Sequence, residues 1–360
     1  MRGGFLLDPD VAYLNHGSYG ACPEPVFAEY QRLQLELERA PTDFFTRRVF
    51  TGFWGADDGS GRLTGARAAL ASFLGAHGDD LVFVPNATSG LNAVIRSLAL
   101  GPEEEILTTA HEYGAITRTW EFAGARLVVC EPDELAGRIG PRTRAVSVSH
   151  ITSPTALVLP VAEICAAARE HGALAVVDGA HAPGQVPVDL EALGADVYAG
   201  NCHKWLCAPK GAGFLWVRSE LQHSIDPLVI SWGYRDDADF GERHGWQGTR
   251  DPAAYLTVPT AIEVHATFDG TAQAALADET ERRLAELGLP RVAGEPAPFM
   301  RAVELPPCDP TKLWRRLYGE FRVEVPVYEW AGRRLLRVSI GPYNDGADVD
   351  RLVAALRALL

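Results

Sequence analysis

The chain has 360 residues, enough for about two domains of ordinary size. Hydrophobic residues make up 47% and charged residues 22%, as in globular proteins, so long disordered tracts, collagen and coiled coil are excluded. With 33 basic and 47 acidic side chains the net charge is −14, which argues against nucleic acid or an anionic membrane as a partner.

The six cysteines form no C-x-x-C pair and have no regular spacing. This pattern is typical of reduced thiols and not of disulfides or a zinc site. The N-terminus lacks the apolar stretch of a signal peptide, and no apolar run approaches the roughly 20 residues of a membrane span. We therefore expect a cytoplasmic protein.

Short apolar runs alternate with amphipathic segments over the first two thirds of the chain. This alternation predicts a largely parallel sheet with helices on both faces. In chain order the predicted elements are helices at 22–39 and 63–74, a strand at 81–85, a helix at 88–98, a strand at 106–109, a helix at 115–122, strands at 126–130 and 145–149, a helix at 161–171, and strands at 174–178, 196–199 and 213–217.

The pattern changes after residue 252 and predicts a smaller α+β domain. Its predicted elements are helices at 253–268 and 272–287, a strand at 299–304, a helix at 311–318, strands at 323–328 and 335–340, and a terminal helix from residue 348.

Several common catalytic motifs are missing from the sequence. There is no Gly-Lys dipeptide and therefore no P-loop, and the patterns G-x-G-x-x-G, G-x-S-x-G and H-E-x-x-H are also absent. These absences argue against an ATPase, a Rossmann dehydrogenase, a serine hydrolase and a zinc protease.

Polar side chains follow three predicted strands, whose carboxyl ends form the usual binding edge of such a sheet. Thr88 and Ser89 begin a helix and suit a phosphate, although helix capping alone would explain them better. Asp178 ends a strand and is, alone, equally explained as a solvated carboxylate. Lys204, between His203 and Trp205, suits a desolvated reactive amine, although most lysines lie at the surface.

Together these three segments match what pyridoxal phosphate requires. A lysine bonds to its aldehyde, a carboxylate keeps its pyridine nitrogen protonated, and a helix N-terminus binds its phosphate. The chain resembles the class V aminotransferase family of fold type I pyridoxal-phosphate enzymes from Tyr13 to Ser339. The motifs that carry this resemblance are V-V-D-G-A-H-A-P-G at 176–184, H-K-W-L at 203–206 and G-T-R-D at 248–251.

The resemblance implies an α/β fold of the type I transferase class. A mostly parallel seven-stranded sheet would form a large cofactor-binding domain at 21–252, followed by a smaller α+β domain at 253–360. The segment 1–20 would belong to the small domain and the mouth of the active site.

The resemblance also implies roles for individual residues. Lys204, Asp178 and Tyr113 would be catalytic, with Lys204 bonded to the cofactor aldehyde, Asp178 paired with the pyridinium nitrogen and Tyr113 stacked on the ring. The other implied cofactor ligands are Thr88, Ser89, Asn201 and His203 at the phosphate, Ser153 and His181 at the phenolic oxygen, and Thr249 at the phosphate of the neighbouring subunit of a homodimer. Arg337 would bind the substrate carboxylate, with Asn15 and His16 nearby.

The implied reaction begins with loss of a proton from Cα of an amino acid or amino-acyl substrate, with Lys204 as the base. Epimerisation or racemisation is the first expectation, with Tyr113 as the candidate second acid, and C–S lysis or transamination is the alternative. A cysteine desulfurase is disfavoured because the loop at 327–332, before Arg337, has no cysteine.

Two other classes of function remain. A metal-dependent hydrolase would use His150, Asp178, His181 and His203, but these residues lack metal-ligand spacing, and we expect no metal. A non-catalytic binding protein is disfavoured because Lys204 and Asp178 are both present.

Overall fold

The alternation of strands and helices along the chain appears in the computed structural model, which describes residues 4–50 and 61–360. The strands of this part are β1 Ala12–Tyr13, β2 Leu81–Val84, β3 Glu105–Thr109, β4 Arg126–Cys130, β5 Thr143–Ser149, β6 Leu174–Gly179, β7 Val197–Asn201, β8 Gly213–Val217, β9 Met300–Glu304, β10 Val323–Glu324, β11 Val327–Trp330 and β12 Arg333–Ser339. The helices are α1 His16–Tyr19, α2 Glu24–Arg39, α3 Pro41–Asp43, α4 Arg62–Phe73, α5 Ala87–Ser97, α6 Gly114–Phe122, α7 Leu135–Arg138, α8 Val161–Glu170, α9 Leu190–Leu193, α10 Phe240–Gly245, α11 Ala253–Leu256, α12 Val258–His265, α13 Gly270–Ala285, α14 Pro310–Phe321 and α15 Gly346–Leu359.

Strands β2 to β8 form one sheet of seven strands in the order β2-β8-β7-β6-β5-β3-β4. The strands from β7 to β4 pair in parallel, and β8 is antiparallel to both of its neighbours. The predicted mostly parallel seven-stranded sheet is confirmed. The sheet places the ends of β2, β5, β6 and β7 along one edge, which is where the polar segments begin.

Two apolar cores cover the two faces of this sheet. Along β6, Ala175 and Val177 pack in one core and Val176 packs in the other, as the two-residue period of a strand requires. Helices α2, α4 and α8 contribute to the first core, and α5 and α6 contribute to the second. Burial on both faces explains why these strands read as continuous apolar runs in the sequence.

The C-terminal part forms a separate antiparallel sheet in the order β11-β12-β9. The N-terminal strand β1 pairs in parallel with β10, so the start of the chain packs with its end. The prediction of one strand at 323–328 was wrong, because β10 and β11 belong to different sheets. Pro326 lies between them, and a proline lacks the N–H that would continue a ladder.

The division of the chain at residue 252 stays a prediction. Ala253, Tyr255 and Val258 pack in the same core as the large sheet, so the chain leaves that core only after α11 and the start of α12. No helix within residues 4–50 and 61–360 is long and apolar enough to span a membrane.

Candidate active site

A cavity of about 570 Å³ opens at the carboxyl ends of the parallel strands. Nine of the predicted residues line it, and they come from five separate segments of the chain. They are Thr88, Ser89, Tyr113, Ser153, Asp178, His181, Asn201, His203 and Lys204. The fold therefore brings together nearly all of the residues that the sequence predicts at the cofactor.

The N-terminus of α5 forms one wall of the cavity. Asn86 caps this helix, because its Oδ1 accepts hydrogen bonds from the backbone N–H and the hydroxyl of Ser89 at 2.9 and 3.1 Å. Asn201 Oδ1 accepts from the Ala87 N–H at 2.9 Å and so ties α5 to the end of β7. Asn86, which the sequence analysis did not single out, thus does the capping, and the Thr88 hydroxyl stays available to a phosphate.

Lys204 follows β7 and its amine is buried in the cavity wall. Burial lowers the pKa of this amine from 10.5 to about 7, and the positive charge of Arg337 acts in the same direction. Lys204 Nζ lies 3.0 Å from His181 Nε2. With this pKa a large share of the Lys204 amine is neutral near pH 7, and the neutral amine is the form that attacks an aldehyde.

The hydrogen bonds of His181 define its tautomer. Trp205 Nε1 donates to His181 Nδ1 at 3.4 Å, and burial keeps the pKa of the imidazole well below 6.5. The neutral ring therefore carries its proton on Nε2 and donates it to the lone pair of Lys204 Nζ. The same N–H can serve the phenolic oxygen that the sequence analysis assigns to His181.

Asp178 ends β6 beside Ser149 of β5 and Ala199 of β7. Its Oδ1 accepts from the Ala180 N–H at 2.9 Å, and Oδ2 accepts from none of the described residues. Burial raises the pKa of this carboxyl, with Lys204 opposing the shift. A buried carboxylate with a free oxygen is suited to a protonated ring nitrogen.

Arg337 of β12 is buried next to the cavity. Its Nη1 donates to the carbonyl and the hydroxyl oxygen of Ser153 at 2.6 and 3.0 Å, and its Nη2 donates to Ser18 Oγ at 3.0 Å. Its Nε is buried without a hydrogen-bond partner among the described residues. An unpartnered buried guanidinium nitrogen is a place where a substrate carboxylate would accept.

Asn15 acts on Arg337 through an intermediate residue. Ser18 Oγ donates to Asn15 Oδ1 at 2.5 Å and accepts from Arg337, while Asn15 Nδ2 donates to Glu324 at 3.2 Å. Asn15 therefore positions Ser18, and Ser18 in turn accepts a hydrogen bond from Arg337. Its predicted contact with the substrate stays a prediction.

His16 lies in the interior and not on the cavity wall. Its ring is fully buried, packs on Trp205 at 4.9 Å, and bonds through Nε2 to the Lys204 carbonyl at 3.0 Å and through Nδ1 to the Tyr343 hydroxyl at 3.2 Å. Burial lowers its pKa to about 3, so the ring is neutral. This position supports the backbone of Lys204, and the predicted role at the substrate stays a prediction.

Thr249 is exposed on a loop and does not line the cavity of its own chain. It follows Gly248, whose φ of 96° turns the backbone through the left-handed region. Its predicted contact with the phosphate of a neighbouring subunit stays a prediction.

Glu112 is a residue that the sequence analysis did not select. Its two carboxylate oxygens accept from Thr109 Oγ1 and Ser149 Oγ, both at 2.6 Å, and burial raises its pKa to about 7. These bonds tie the ends of β3 and β5 together and place Tyr113 at the start of α6, in the cavity wall. The sequence analysis selects only Tyr113 from the segment H-E-Y at 111–113, although Glu112 directly precedes it.

Other residues line the cavity without having been predicted, and Ser18, Tyr19 and Lys210 are among them. The loop P-K-G at 209–211 shortly after Lys204 was the available signal for Lys210. Ser18 and Tyr19 lie in the segment 1–20, which the resemblance places at the mouth of the active site, and the pairing of β1 with β10 holds this segment there.

The residues of the metal-hydrolase alternative have other partners. His150 Nδ1 bonds to the Tyr198 hydroxyl at 2.9 Å, and His203 Nδ1 bonds to the Ala212 carbonyl at 3.1 Å. Among residues 4–50 and 61–360, no group of three or more His, Cys, Asp and Glu side chains has the arrangement of a metal site. The four residues therefore do not share a ligand cluster there.

The groups around the cavity fit pyridoxal phosphate. Thr88 and the start of α5 provide donors for a phosphate, Lys204 provides an amine of lowered pKa, and Asp178 provides an unpaired carboxylate oxygen. His181 provides an N–H for an anionic oxygen. Each functional group of the cofactor thus finds a complementary group in one cavity.

The chain is similar to several known proteins over nearly its full length. The chain is 36% identical to the isopenicillin N epimerase of Amycolatopsis lactamdurans, covering 98% of this chain and 96% of that protein. It is 34% identical to the isopenicillin N epimerase of Streptomyces clavuligerus, covering 99% and 97%. An L-cysteine desulfhydrase of Arabidopsis thaliana is 26% identical over 97% of this chain and 88% of that protein.

Among solved structures, the apo cysteine desulfurase of Thermococcus onnurineus NA1 superposes with a TM-score of 0.86 at 20% identity, covering 99% of this chain and 96% of that chain. At that identity the likeness concerns the fold, which is thereby confirmed as that of the type I transferases. The family model described as Aminotransferase class-V matches residues 58–352. The chain belongs to the class V aminotransferase family.

Proposed function

We propose that the chain is a pyridoxal-phosphate-dependent epimerase or racemase that acts at Cα of an amino acid or amino-acyl substrate. The observation that carries this proposal is the buried Lys204 amine, which shares one cavity with the Asp178 carboxylate beside the Arg337 guanidinium. Nearly full-length identity of 34–36% to two isopenicillin N epimerases supports epimerisation as the outcome.

The cofactor would be held by the residues that line the cavity. Thr88, Ser89, Asn201 and His203 would bind its phosphate, His181 and Ser153 its phenolic oxygen, and Asp178 its ring nitrogen. When bound, pyridoxal phosphate supplies an aldehyde that captures an amino group and a ring that withdraws electrons from Cα.

The chain's own side chains would then orient the substrate and move its proton. Arg337 would hold the α-carboxylate through its unpartnered Nε, and its guanidinium is bound by Ser18 and Ser153, which line the cavity together with Lys204. Lys204 Nζ would take the proton from Cα, as its low pKa allows. Inversion needs an acid on the opposite face, and we assign that role to Tyr113, whose half-exposed side chain lines the cavity.

C–S lysis is the second candidate, and the L-cysteine desulfhydrase relative favours it over transamination. In a lyase the same proton is removed, but a β-substituent leaves instead of the proton returning. Desulfurase chemistry is disfavoured further by the form of the loop before Arg337. It is a two-residue hairpin in which Trp330 pairs with Arg333 across Ala331 and Gly332, and it offers no cysteine.

We also propose that the enzyme is a cytoplasmic homodimer. Thr249 is exposed and free to contact a second subunit. All six cysteines are free thiols, as in a reducing compartment.

Incubation of the cofactor-loaded protein in D₂O with L- and D-amino acids tests the reaction. An epimerase incorporates deuterium at Cα and inverts the configuration without releasing a keto acid. Pyruvate and sulfide from cysteine would instead establish the lyase, and a keto acid with loss of the cofactor aldehyde would establish transamination. Lys204→Ala is the control, and turnover of this variant near the wild-type rate would reject the proposed site.

A further inference from the structure

Lysine is rare in this chain. Of the 33 basic side chains only three are lysines, Lys204, Lys210 and Lys312, and the others are arginines. Lys204 and Lys210 both line the cavity of the candidate active site, whereas Lys312 is exposed on α14. Where this chain needs a positive charge at its surface it uses arginine, so the lysine at position 210 departs from its own pattern.

Lys210 lies in a tight turn between β7 and β8. The turn is closed by the Ala212 N–H, which donates to the Pro209 carbonyl at 3.3 Å. The strand that follows runs against the start of α5, since a Cβ on Gly213 would lie 2.7 Å from the Asn86 Cα. The turn therefore carries Lys210 to the end of the cavity where α5 begins.

The other residues that we propose at the cofactor phosphate carry no formal charge near pH 7. Thr88, Ser89 and Asn201 are uncharged, and burial lowers the pKa of His203 to about 4, with the charge of Lys210 acting in the same direction. A phosphate monoester carries about −1.5 to −2 charges at pH 7, whereas a helix N-terminus offers only about +0.5. These groups therefore leave most of the phosphate charge without compensation.

The Lys210 ammonium group is free to supply this charge. It makes no hydrogen bond or ion pair with residues 4–50 or 61–360, and its side chain is exposed at the cavity. Arg337, by contrast, already donates to Ser153 and Ser18, and Lys204 is the amine that bonds to the aldehyde. A lysine ammonium is a compact charge with three donors and is a common phosphate ligand.

We propose that Lys210 is a phosphate-binding residue of the cofactor site. Its ammonium group pairs with the phosphate that Thr88 and the start of α5 bind, and it supplies the charge that these groups lack. The net charge of −14 on the chain repels anionic ligands, which increases the need for a local cation. This inference rests on the proposed function, since it assumes that the phosphate lies at the start of α5.

Binding of pyridoxine 5′-phosphate and of pyridoxine to the full-length, cofactor-free protein tests the proposal. Both compounds lack the aldehyde, so neither bonds covalently to Lys204, and they differ only in the phosphate. Calorimetry should show that Lys210→Gln weakens binding of pyridoxine 5′-phosphate about tenfold, as for a lost charged hydrogen bond, and leaves pyridoxine unchanged. Lys210→Arg keeps the charge and should stay within a few-fold of the wild type. The loaded Lys210→Gln enzyme should also lose pyridoxal phosphate faster on dialysis.

Salt and a matched variant separate a local pair from the overall charge of the chain. Raising the salt concentration from about 0.01 to about 0.1 M shortens the Debye length from about 30 to about 10 Å. This change should weaken binding of pyridoxine 5′-phosphate more in the wild type than in Lys210→Gln. Lys312→Gln removes the same unit of charge from an exposed position on α14 and should alter the affinity for neither compound.

Equal affinities of the wild type and Lys210→Gln for pyridoxine 5′-phosphate would overturn the proposal. So would equal losses for pyridoxine and its phosphate, because Lys210 would then act on the shape of the cavity. An equal loss in Lys312→Gln would overturn it too, since the overall charge would then suffice. A wild type that prefers pyridoxine 5′-phosphate to pyridoxine by less than about twofold would instead reject the phosphate site of the proposed function.

Discussion

The Lys204–His181–Trp205 chain of contacts determines the protonation of the candidate nucleophile. Trp205 occupies His181 Nδ1, so the proton of His181 lies on Nε2 and faces Lys204 Nζ. Burial opposes a charge on both groups, and both pKa values are lowered. A neutral Lys204 amine therefore satisfies the hydrogen bonding of the site better than an ammonium group would.

The pKa of Lys204 predicts how cofactor loading depends on pH. Below about pH 7 the amine is protonated and cannot attack an aldehyde, and above it the neutral form predominates. The rate at which added pyridoxal phosphate bonds to the cofactor-free protein should rise with pH and become level above about pH 7. Stopped-flow absorbance measures this rate, and Nα-acetyl-lysine, whose amine is unperturbed, is the control. A rate that continues to rise tenfold per pH unit from pH 8 to 10 would contradict the prediction.

Asp178→Asn tests the carboxylate at the end of β6. An amide cannot hold a proton on a ring nitrogen, so deuterium exchange at Cα should fall by about a hundredfold or more while the cofactor still binds. The matched control is Asp196→Asn, which alters a buried carboxylate that accepts from the Ala175 N–H and pairs with Arg218 outside the cavity. It should lower the melting temperature but not the exchange rate of folded protein. An Asp178→Asn rate within a few-fold of the wild type would make Asp178 a structural residue.

At the scale of elements, the start of α5 contributes to stability and also forms the proposed phosphate site. Asn86 caps the helix from the loop after β2, and Asn201 binds its first turn from the end of β7. Gly90 permits close packing, since a Cβ there would lie 3.2 Å from that of Ala199. The helix N-terminus is thus fixed at the edge of the sheet where the partial positive charge of its N–H groups faces the cavity.

Replacing the N-cap residues of α5 and α14 separates the effect of a cap on stability from its effect on cofactor binding. Asn86→Ala should lower the free energy of unfolding by about 1 kcal/mol and also weaken retention of pyridoxal phosphate, because Thr88 and Ser89 lose their positions. Asp309→Ala removes the corresponding cap of α14, where Asp309 accepts from the Lys312 N–H, and should cost similar stability without affecting the cofactor. Denaturant unfolding and equilibrium dialysis measure the two quantities. Equal cofactor retention in both variants would show that the α5 terminus does not bind the phosphate.

At the scale of the whole molecule, the chain closes on itself through its two ends. Strand β1 pairs with β10, and Asn15 connects to Glu324 on one side and to Ser18 on the other. The active site is therefore built from the first 20 residues, the large sheet and the C-terminal sheet together. In the proposed dimer, Thr249 of a second subunit would add one more residue to this site.

Subunit exchange tests whether the sites are shared. Lys204→Ala chains are mixed with Thr249→Val chains. In the heterodimer, one site then keeps Lys204 and receives Thr249 from the Lys204→Ala chain, whereas the other site carries both defects. Cofactor affinity should be recovered in about half of the sites of the heterodimer, with each homodimeric variant as the control. A monomer that is fully active in dilute solution, or the lack of any recovery, would show that Thr249 acts only within its own chain.

From the sequence alone, the large sheet could be predicted, together with the placement of Asp178 and Lys204 at one edge of it. Buried strands read as continuous apolar runs, and residues at their carboxyl ends share one edge in any such sheet, so Asp178 and Lys204 could be predicted from order and spacing. The same local patterns predicted the smaller second sheet. They failed at Pro326, where two strands of different sheets follow each other almost without a break.

Other side chains of the candidate site could be identified only in the folded chain, where distant segments meet. Hydrophobic periodicity does not point to Glu112. Its structural role depends on the hydrogen bonds that it accepts from Thr109 and Ser149 at the ends of two strands. Arg337 was predicted, but its link through Ser18 to Asn15 depends on chain ends that are more than 300 residues apart. Such contacts follow from the packing of distant segments, which local periodicity does not encode.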